Sequence, residues 1–355
     1  MTEHAPNAGS PSSADVSVVL CAYTEQRRND LQAAVRSVQA QSPPASEIIV
    51  VIDNNPQLLA QVQQAIPEVV AVENTDAQGA GAARNHGVRL ATGSIVAFLD
   101  DDAVAMQAWI AHAVPAFTDQ RVLGVGGTIY PAWEGKRPRW MAPEFYWTVG
   151  CTYPGLPTEP GPVRNPIAAN MFMRRAAFLE LGGFRVGFGK TGARSGTEET
   201  DLCIRASQRW PDGVWLHDPA VAVRHRVPHG RTRVGYFVSR CYDEGVAKAS
   251  IVGFVGAQDG LASERTYTTR TLPKGVLRGL KDAAVGRDLT GVARSLSIVV
   301  GLAATVAGYL AGKVSPSRRS DGLAVSPSPI AADQEDAFST PSERARCSQP
   351  RTDSP

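Results

Sequence analysis

The run Asp100-Asp101-Asp102 sets three carboxylates in a row behind an unbroken apolar stretch, Ile95 to Leu99. Such neighbours repel one another unless a positive group sits between them. They read either as a solvated acidic turn or helix N-cap, or as hard-oxygen ligands for magnesium or manganese. A second acidic set, Glu198-Glu199-Thr200-Asp201, precedes an apolar helical pattern at Leu202, Ala206 and Trp210. Paired carboxylates suit proton abstraction, although acids in a first helical turn are also ordinary partners of the helix dipole. His225 ends a further apolar run. A lone histidine is more often structural, yet imidazole is the commonest metal-ligating side chain.

The elements that must position these groups alternate. Val16 to Tyr23, Glu47 to Ile52, Val69 to Glu73 and Ile95 to Leu99 read as strands. Between them lie helices around Leu31 to Val38, about 57–66, and the small-residue stretch Gly79 to Ala91, with another near Ala108 to Phe117. This order predicts an α/β fold, a mostly parallel sheet flanked by helices. Ligands gather at the carboxyl ends of strands in such sheets. Three of these ends are polar: Tyr23-Thr24-Glu25, Asp53-Asn54, and Asp100 to Asp102. That coincidence favours a site over three solvated turns.

Further along, Val122 to Tyr130 and Ile167 to Arg174 read as strands, the latter followed by a helix to Leu181, and residues 214–225 as two short strands. Residues 131–166 are rich in Pro, Gly and aromatics without periodicity, which reads as a functional loop rather than disorder; the aromatics suit either a sugar-like or amphipathic ligand or packing of the loop onto the body. Gly187 to Gly196 reads as a mobile glycine-rich segment. Residues 232–255 and 276–285 look helical, and Leu296 to Gly312 is the most apolar run, short for a bilayer span and flanked by basic residues. Its Gly308-x-x-x-Gly312 spacing offers a close-packing face. It is read as a membrane-associated helix against the alternative of a packed soluble one. The polar segments 1–14 and 315–355 read as disordered tails.

Of the 355 residues, 43% are hydrophobic and 20% charged, with a formal net charge of +2. No basic run with interleaved aromatics points to a nucleic-acid partner. Five scattered cysteines without Cys-x-x-Cys spacing argue against a disulfide framework or structural zinc, and suit a reducing cytosol. The polar N-terminus has no secretory pattern. The expected location is cytoplasmic, at the inner face of the membrane.

Side by side, these pieces resemble the family-2 glycosyltransferases over about residues 15–230. The resemblance is carried by Val18-Val-Leu-Cys-Ala-Tyr-Thr-Glu25, Glu47-Ile-Ile-Val-Val-Ile-Asp53, Gly81-Ala-Ala-Arg-Asn-His-Gly87, Phe98-Leu-Asp-Asp-Asp102, Gly182-Gly-Phe184, Glu198-Glu-Thr-Asp-Leu202 and His225. It implies the GT-A fold, here with a C-terminal helical extension over 231–314. It further implies transfer of a sugar from a nucleoside-diphosphate donor to a saccharide or lipid-linked acceptor, as in cell-envelope polysaccharide assembly.

Roles follow from the same resemblance. Tyr23, Glu25 and Asp53 would line the nucleoside pocket, Arg84 and Asn85 would border the donor, and Asp101 would touch ribose or sugar. Asp100 and Asp102 would hold Mn2+ or Mg2+, with His225 as a further ligand. Glu199 falls where inverting members carry the catalytic base, usually an Asp, and Glu198 competes for the role. Processive members have Gln-x-x-Arg-Trp; Gln208-Arg209-Trp210 lacks the spacer, which implies transfer of a single sugar. Two rivals are a nucleotidyltransferase and a non-catalytic carbohydrate-binding protein of the same fold. The first needs a glycine-rich loop after the first strand, and Thr24 to Arg28 has arginines but no glycine. The second has no need of the acids. Arg240, Tyr242, Glu244, Lys248 and Arg265 read as a solvated face, with an anionic-acceptor site as the alternative.

Overall fold

The computed structural model describes residues 15–185, 198–255, 265–286 and 288–314. The tails 1–14 and 315–355 and the segment Gly187 to Gly196 lie outside the described residues.

The N-terminal part alternates strand and helix: β1 (Val16–Ala22), α1 (Arg28–Gln39), β2 (Glu47–Ile52), α2 (Pro56–Ala65), β3 (Val70–Glu73), α3 (Ala80–Leu90) and β4 (Ile95–Asp100). β3, β2, β1 and β4 are parallel neighbours in that order. The strands are apolar on both sides because helices cover both faces of the sheet. Leu31, Ala34, Val35 and Val38 of α1 go into the core on one face, and Ala83 and Val88 of α3 on the other. The small residues of α3 are there for closeness. A Cβ on Gly87 would come within 2.5 Å of Val19, so this helix lies directly on the strands.

Past β4 the sheet becomes mixed. β8 (Asn170–Arg174) runs antiparallel to β4 and to β6 (Val122–Trp133). β6 is parallel to β9 (Val214–Val227), while β5 (Ala103–Ala105) and β7 (Gly161–Val163) pair antiparallel with β9. Residues 214–225 therefore form one long bent strand rather than the two expected. The bend is a bulge opposite Gly127, where any Cβ would meet the Val221 carbonyl oxygen at 2.0 Å. The helix expected at Ala108 to Phe117 is α4 (Trp109–Ala113) followed by a 3-10 turn. Within 131–166, Phe145, Tyr146 and Trp147 lie on a 3-10 turn, Pro143–Val149, and with Trp133, Trp140 and Tyr153 pack against the body. α5 (Arg175–Glu180) and α6 (Glu198–Arg209) flank the sheet.

Among the described residues three α-helices follow: α7 (Val234–Val255), α8 (Leu272–Gly286) and α9 (Thr290–Val314). α9 is seated by glycines. Cβ atoms on Gly245 of α7 and Gly308 of α9 would each meet the other helix's backbone at 2.0 Å, and Gly312 lies against Val246. The small-residue face thus serves packing within the chain. Over its most apolar 18 residues α9 has a mean hydropathy of 1.7 and is 28% buried. Leu296, Val299, Val306 and Leu310 stay exposed, as do Leu277 and Leu280 of α8.

Candidate active site

The acids ending β4 occupy neither an N-cap nor a solvated turn. They form a tight connection from β4 into β5, and β5 pairs with β9 so that Ala103 faces His225. Asp101 and Asp102 are each 4% exposed and His225 is 3% exposed. Burial at this density demands compensation, and arginines provide part of it. Arg27 Nη1 reaches Asp101 Oδ1 and Asp102 Oδ2, both at 2.8 Å, with its guanidinium over the exposed Tyr23 ring at 4.9 Å. Arg231 stands 3.9 Å from Asp102. Burial, opposed by Arg27 and reinforced by Asp102 and Asp100, pushes the Asp101 carboxyl up to about 8. Burial also works against charge on Asp102, but His225, Arg27 and Arg231 outweigh it and hold that carboxyl well below the usual range.

Ligand atoms of Asp100, Asp102 and His225 lie within 4.8 Å of one another, near the ~4 Å that opposed ligands span across a cation with ~2.1 Å bonds. Asp102 Oδ1 sits 3.1 Å from His225 Nε2, yet among the described residues no donor is aligned on that buried oxygen. An oxygen so placed suits a cation, and two carboxylates with one imidazole form a reasonable divalent set.

Arg84 joins this triad to the second acidic pair. It is 8% exposed, one turn into α3. Its Nη2 donates to Asp100 Oδ1 at 2.8 Å, and its Nη1 donates to Glu198 Oε1 at 3.1 Å. Glu198 is therefore buried and held, while Glu199 beside it is only partly covered. Burial first, and the Glu198 charge next, push the Glu199 carboxyl up to about 8. Asp201 is 1% exposed and accepts from Arg205 at 2.8 Å. Arg205 in turn donates to the Leu181 and Gly183 carbonyls at 2.7 Å, tying the start of α6 to the Gly182-Gly183-Phe184 turn.

The remaining expected residues fall on the same edge of the sheet. Tyr23 and Glu25 are exposed beside the end of β1. Asp53, at the end of β2, accepts from Asn74 Nδ2 at 2.7 Å and the Gly79 amide at 2.9 Å, so it pins the loop that opens α3. Asn85 spends both ends of its amide on the Phe184 backbone at 2.8 Å; it bears on the site through the segment it holds. Arg209 pairs with Glu180 at 3.0 Å and Trp210 is core, so this dipeptide serves packing. Sequence reasoning missed Arg27 and Arg231. The signal for Arg27 was its place four residues after Tyr23; Arg231 carries none, being one arginine among several near His225.

Residues 17–182 match the model of glycosyl transferase family 2. The chain is 30% identical over 308 residues to a glucosyl-dolichyl phosphate glucuronosyltransferase of Haloferax volcanii, covering 85% of this chain and 97% of the relative. It is 26% identical over 245 residues to the succinoglycan biosynthesis protein ExoM of Rhizobium meliloti, covering 65% and 72%. Among solved structures, a mannosyltransferase of Pyrobaculum calidifontis in complex with GDP-Man and Mn2+ superposes with a TM-score of 0.55 at 18% identity, over 88% of this chain and 91% of that one. This likeness bears on the fold alone, which is GT-A. The chain belongs to the family-2 glycosyltransferases.

Proposed function

We propose that this glycosyltransferase moves one sugar, with inversion, from a nucleoside-diphosphate sugar to a lipid-phosphate-linked saccharide at the cytoplasmic face of a membrane. The observation that carries this reading is the Arg84 guanidinium spanning Asp100 and Glu198. It makes the metal-type triad and the acidic pair one site.

Asp100, Asp102 and His225 would hold Mn2+ or Mg2+, which when bound neutralises the diphosphate leaving group. Arg27 and Arg231 supply further positive charge on that side, and Tyr23, Glu25 and Asp53 accept the nucleoside. Asp101, freed from Arg27, would reach the ribose or sugar. Glu199 takes the proton from the acceptor hydroxyl as its oxygen attacks the anomeric carbon. Its raised pKa matches that task near neutral pH. Glu198 is committed to Arg84, which leaves Glu199, the less buried of the two, for the acceptor.

The acceptor class is suggested by the Haloferax relative, named for a dolichyl phosphate substrate. A membrane surface is supported by the exposed apolar side chains of α8 and α9. α9 packs along α7, whose Arg240, Glu244 and Lys248 would be costly in hydrocarbon. Lying on the bilayer therefore suits it better than crossing.

The direct test is a thermal-shift screen with Mn2+ and a panel of nucleoside-diphosphate sugars including UDP-glucuronic acid. A nucleotide sugar that raises the melting temperature only with metal present supports the reading; metal-independent shifts with every nucleotide, or none, would refute it.

A further inference from the structure

Resting on that function, we propose that the lipid-phosphate acceptor has a two-part seat: Arg240 of α7 takes the phosphate, and the groove between α8 and α9 takes the hydrocarbon chain.

The phosphate end is a partly dried guanidinium with donors to spare. Arg240 Nη1 is 3.0 Å from Glu244 Oε2, and Lys248 Nζ is 3.2 Å from Glu244 Oε1, with the three side chains 23%, 17% and 20% exposed. The Arg240 guanidinium also lies over the Trp147 ring at 5.5 Å. A guanidinium has five N–H donors; among the described residues Glu244 is its hydrogen-bonded partner. Braced on one side and stacked on another, it keeps a preset fork for a phosphate. Glu244 is the brace: despite burial, Lys248 and Arg240 hold its carboxyl down at about 2.

The apolar end is an open groove of about 570 Å³ lined by Leu272, Val276, Ile298, Leu302, Val306 and Leu310, with Thr268 at one end of the lining sequence. Nothing in that lining is charged, which fits a hydrocarbon chain and excludes a sugar. The two ends are linked. Tyr267 precedes Thr268, and its hydroxyl accepts from Trp147 Nε1 at 3.1 Å, while the Trp147 ring faces Arg240. Glu199 is near enough for its charge to act on the Arg240 guanidinium. Groove, phosphate fork and base thus follow one another in the order chain, phosphate and sugar take in a lipid-linked saccharide. The outward crest at Leu277, Leu280 and Leu296 is left for the bilayer.

The test uses the full chain and three probes below their aggregation limits: dodecyl phosphate, dodecanol and inorganic phosphate, titrated by calorimetry. Dodecyl phosphate should bind at least about tenfold more tightly than either partial probe. Arg240→Gln should remove most of its advantage over dodecanol, roughly tenfold for a charge-assisted phosphate contact, and Arg240→Lys should restore part of it. Leu302→Trp, which fills the groove, should weaken both chain-bearing probes and spare inorganic phosphate. Equal affinity for dodecyl phosphate and dodecanol in the unsubstituted protein overturns the phosphate seat without any variant. So does an Arg240→Gln protein that melts normally and binds as before. If Leu302→Trp lowers only binding to phosphatidylglycerol vesicles, the groove is a membrane contact and the chain seat is wrong. Stabilisation of the unsubstituted protein by a nucleotide sugar with Mn2+, measured alongside, separates the two failures: its absence refutes the function, its presence with indifferent lipid binding refutes the seat.

Discussion

The pH profile of the reaction tests the assignment of the base to Glu199. Glu199 sits at about 8, raised by burial and then by the Glu198 carboxylate. A general base works only when deprotonated. With a midpoint near 8, about a tenth of the free enzyme is competent at pH 7 and about nine tenths at pH 9. The kcat/KM of transfer should therefore climb roughly tenfold across that interval and level off above it. A glutamate at its ordinary value would give a flat profile over the same range.

Removing the neighbour sharpens the test. Glu198→Gln keeps an oxygen for Arg84, which now donates to Glu198 Oε1 at 3.1 Å, but deletes the like charge. For charges several ångströms apart in a medium of effective dielectric ~20–40, that moves the Glu199 midpoint acidward by roughly one pH unit or more. The rate at pH 7 should then rise about fivefold, while Glu199→Gln should lower it by about 10²–10⁴ and flatten the profile. The assay is initial velocity of nucleotide release from the donor found in the thermal-shift screen, at pH 6 to 9.5 with constant ionic strength. If Glu198→Gln abolishes transfer and Glu199→Gln leaves it intact, the base has been assigned to the wrong acid. A flat profile in the unsubstituted enzyme would refute the raised carboxyl itself.

Other consequences are equally direct. Asp102→Ala removes one ligand of the triad and should weaken Mn2+ binding by at least about tenfold in an EPR titration of free ion; unchanged affinity would remove Asp102 from the metal set. Arg27→Gln should do the reverse in the nucleotide-free protein, because a cation no longer competes with the guanidinium that holds Asp101 and Asp102. A fall in Mn2+ affinity would contradict that competition. Leu277→Glu with Leu296→Glu places charge on exposed positions and should shift the protein from membrane to soluble fractions at unchanged melting temperature. Gly308→Val must push α9 off Tyr242, whose carbonyl oxygen a Cβ would meet at 2.0 Å; a loss of about 1–3 kcal/mol in denaturant unfolding is expected.

What could be read in the chain divides along local and non-local lines. The strands and helices up to β4 were legible because each is a continuous apolar run or a 3.6-residue stripe, and both cores confirm them. The bend in β9 was not, since Pro219 inside an apolar run reads as a break, and only Gly127 on another strand makes room for the bulge. β5 is three residues long and meaningful only through its pairing with β9, which is why the chain alone left an N-cap or turn open beside the metal-site reading of Asp100 to Asp102. Charge balance was the hardest part. A sequence shows acids in a row, but Arg27 and Arg84 reach them from 74 and 16 residues away.

The turn Pro143–Val149 joins what the family fold supplies to what the C-terminal helices add. Gly150, which ends it at φ +79°, lies so close to His225 that a Cβ would approach the imidazole at 3.3 Å. From the same turn Glu144 pairs with Arg278 of α8, and Phe145 packs against Phe237 of α7. Just before it, the Ala142 amide donates to Ser297 of α9 at 3.2 Å. A single aromatic segment thus touches a candidate metal ligand and all three added helices. Substituting Gly150 by Ala adds a methyl at the imidazole and strains a left-handed backbone position, without changing any residue assigned to donor or acceptor. If the helices are set by this turn, Gly150→Ala should disturb metal binding and lipid-phosphate binding together. Loss of one with full retention of the other would show that the two halves of the site are held independently.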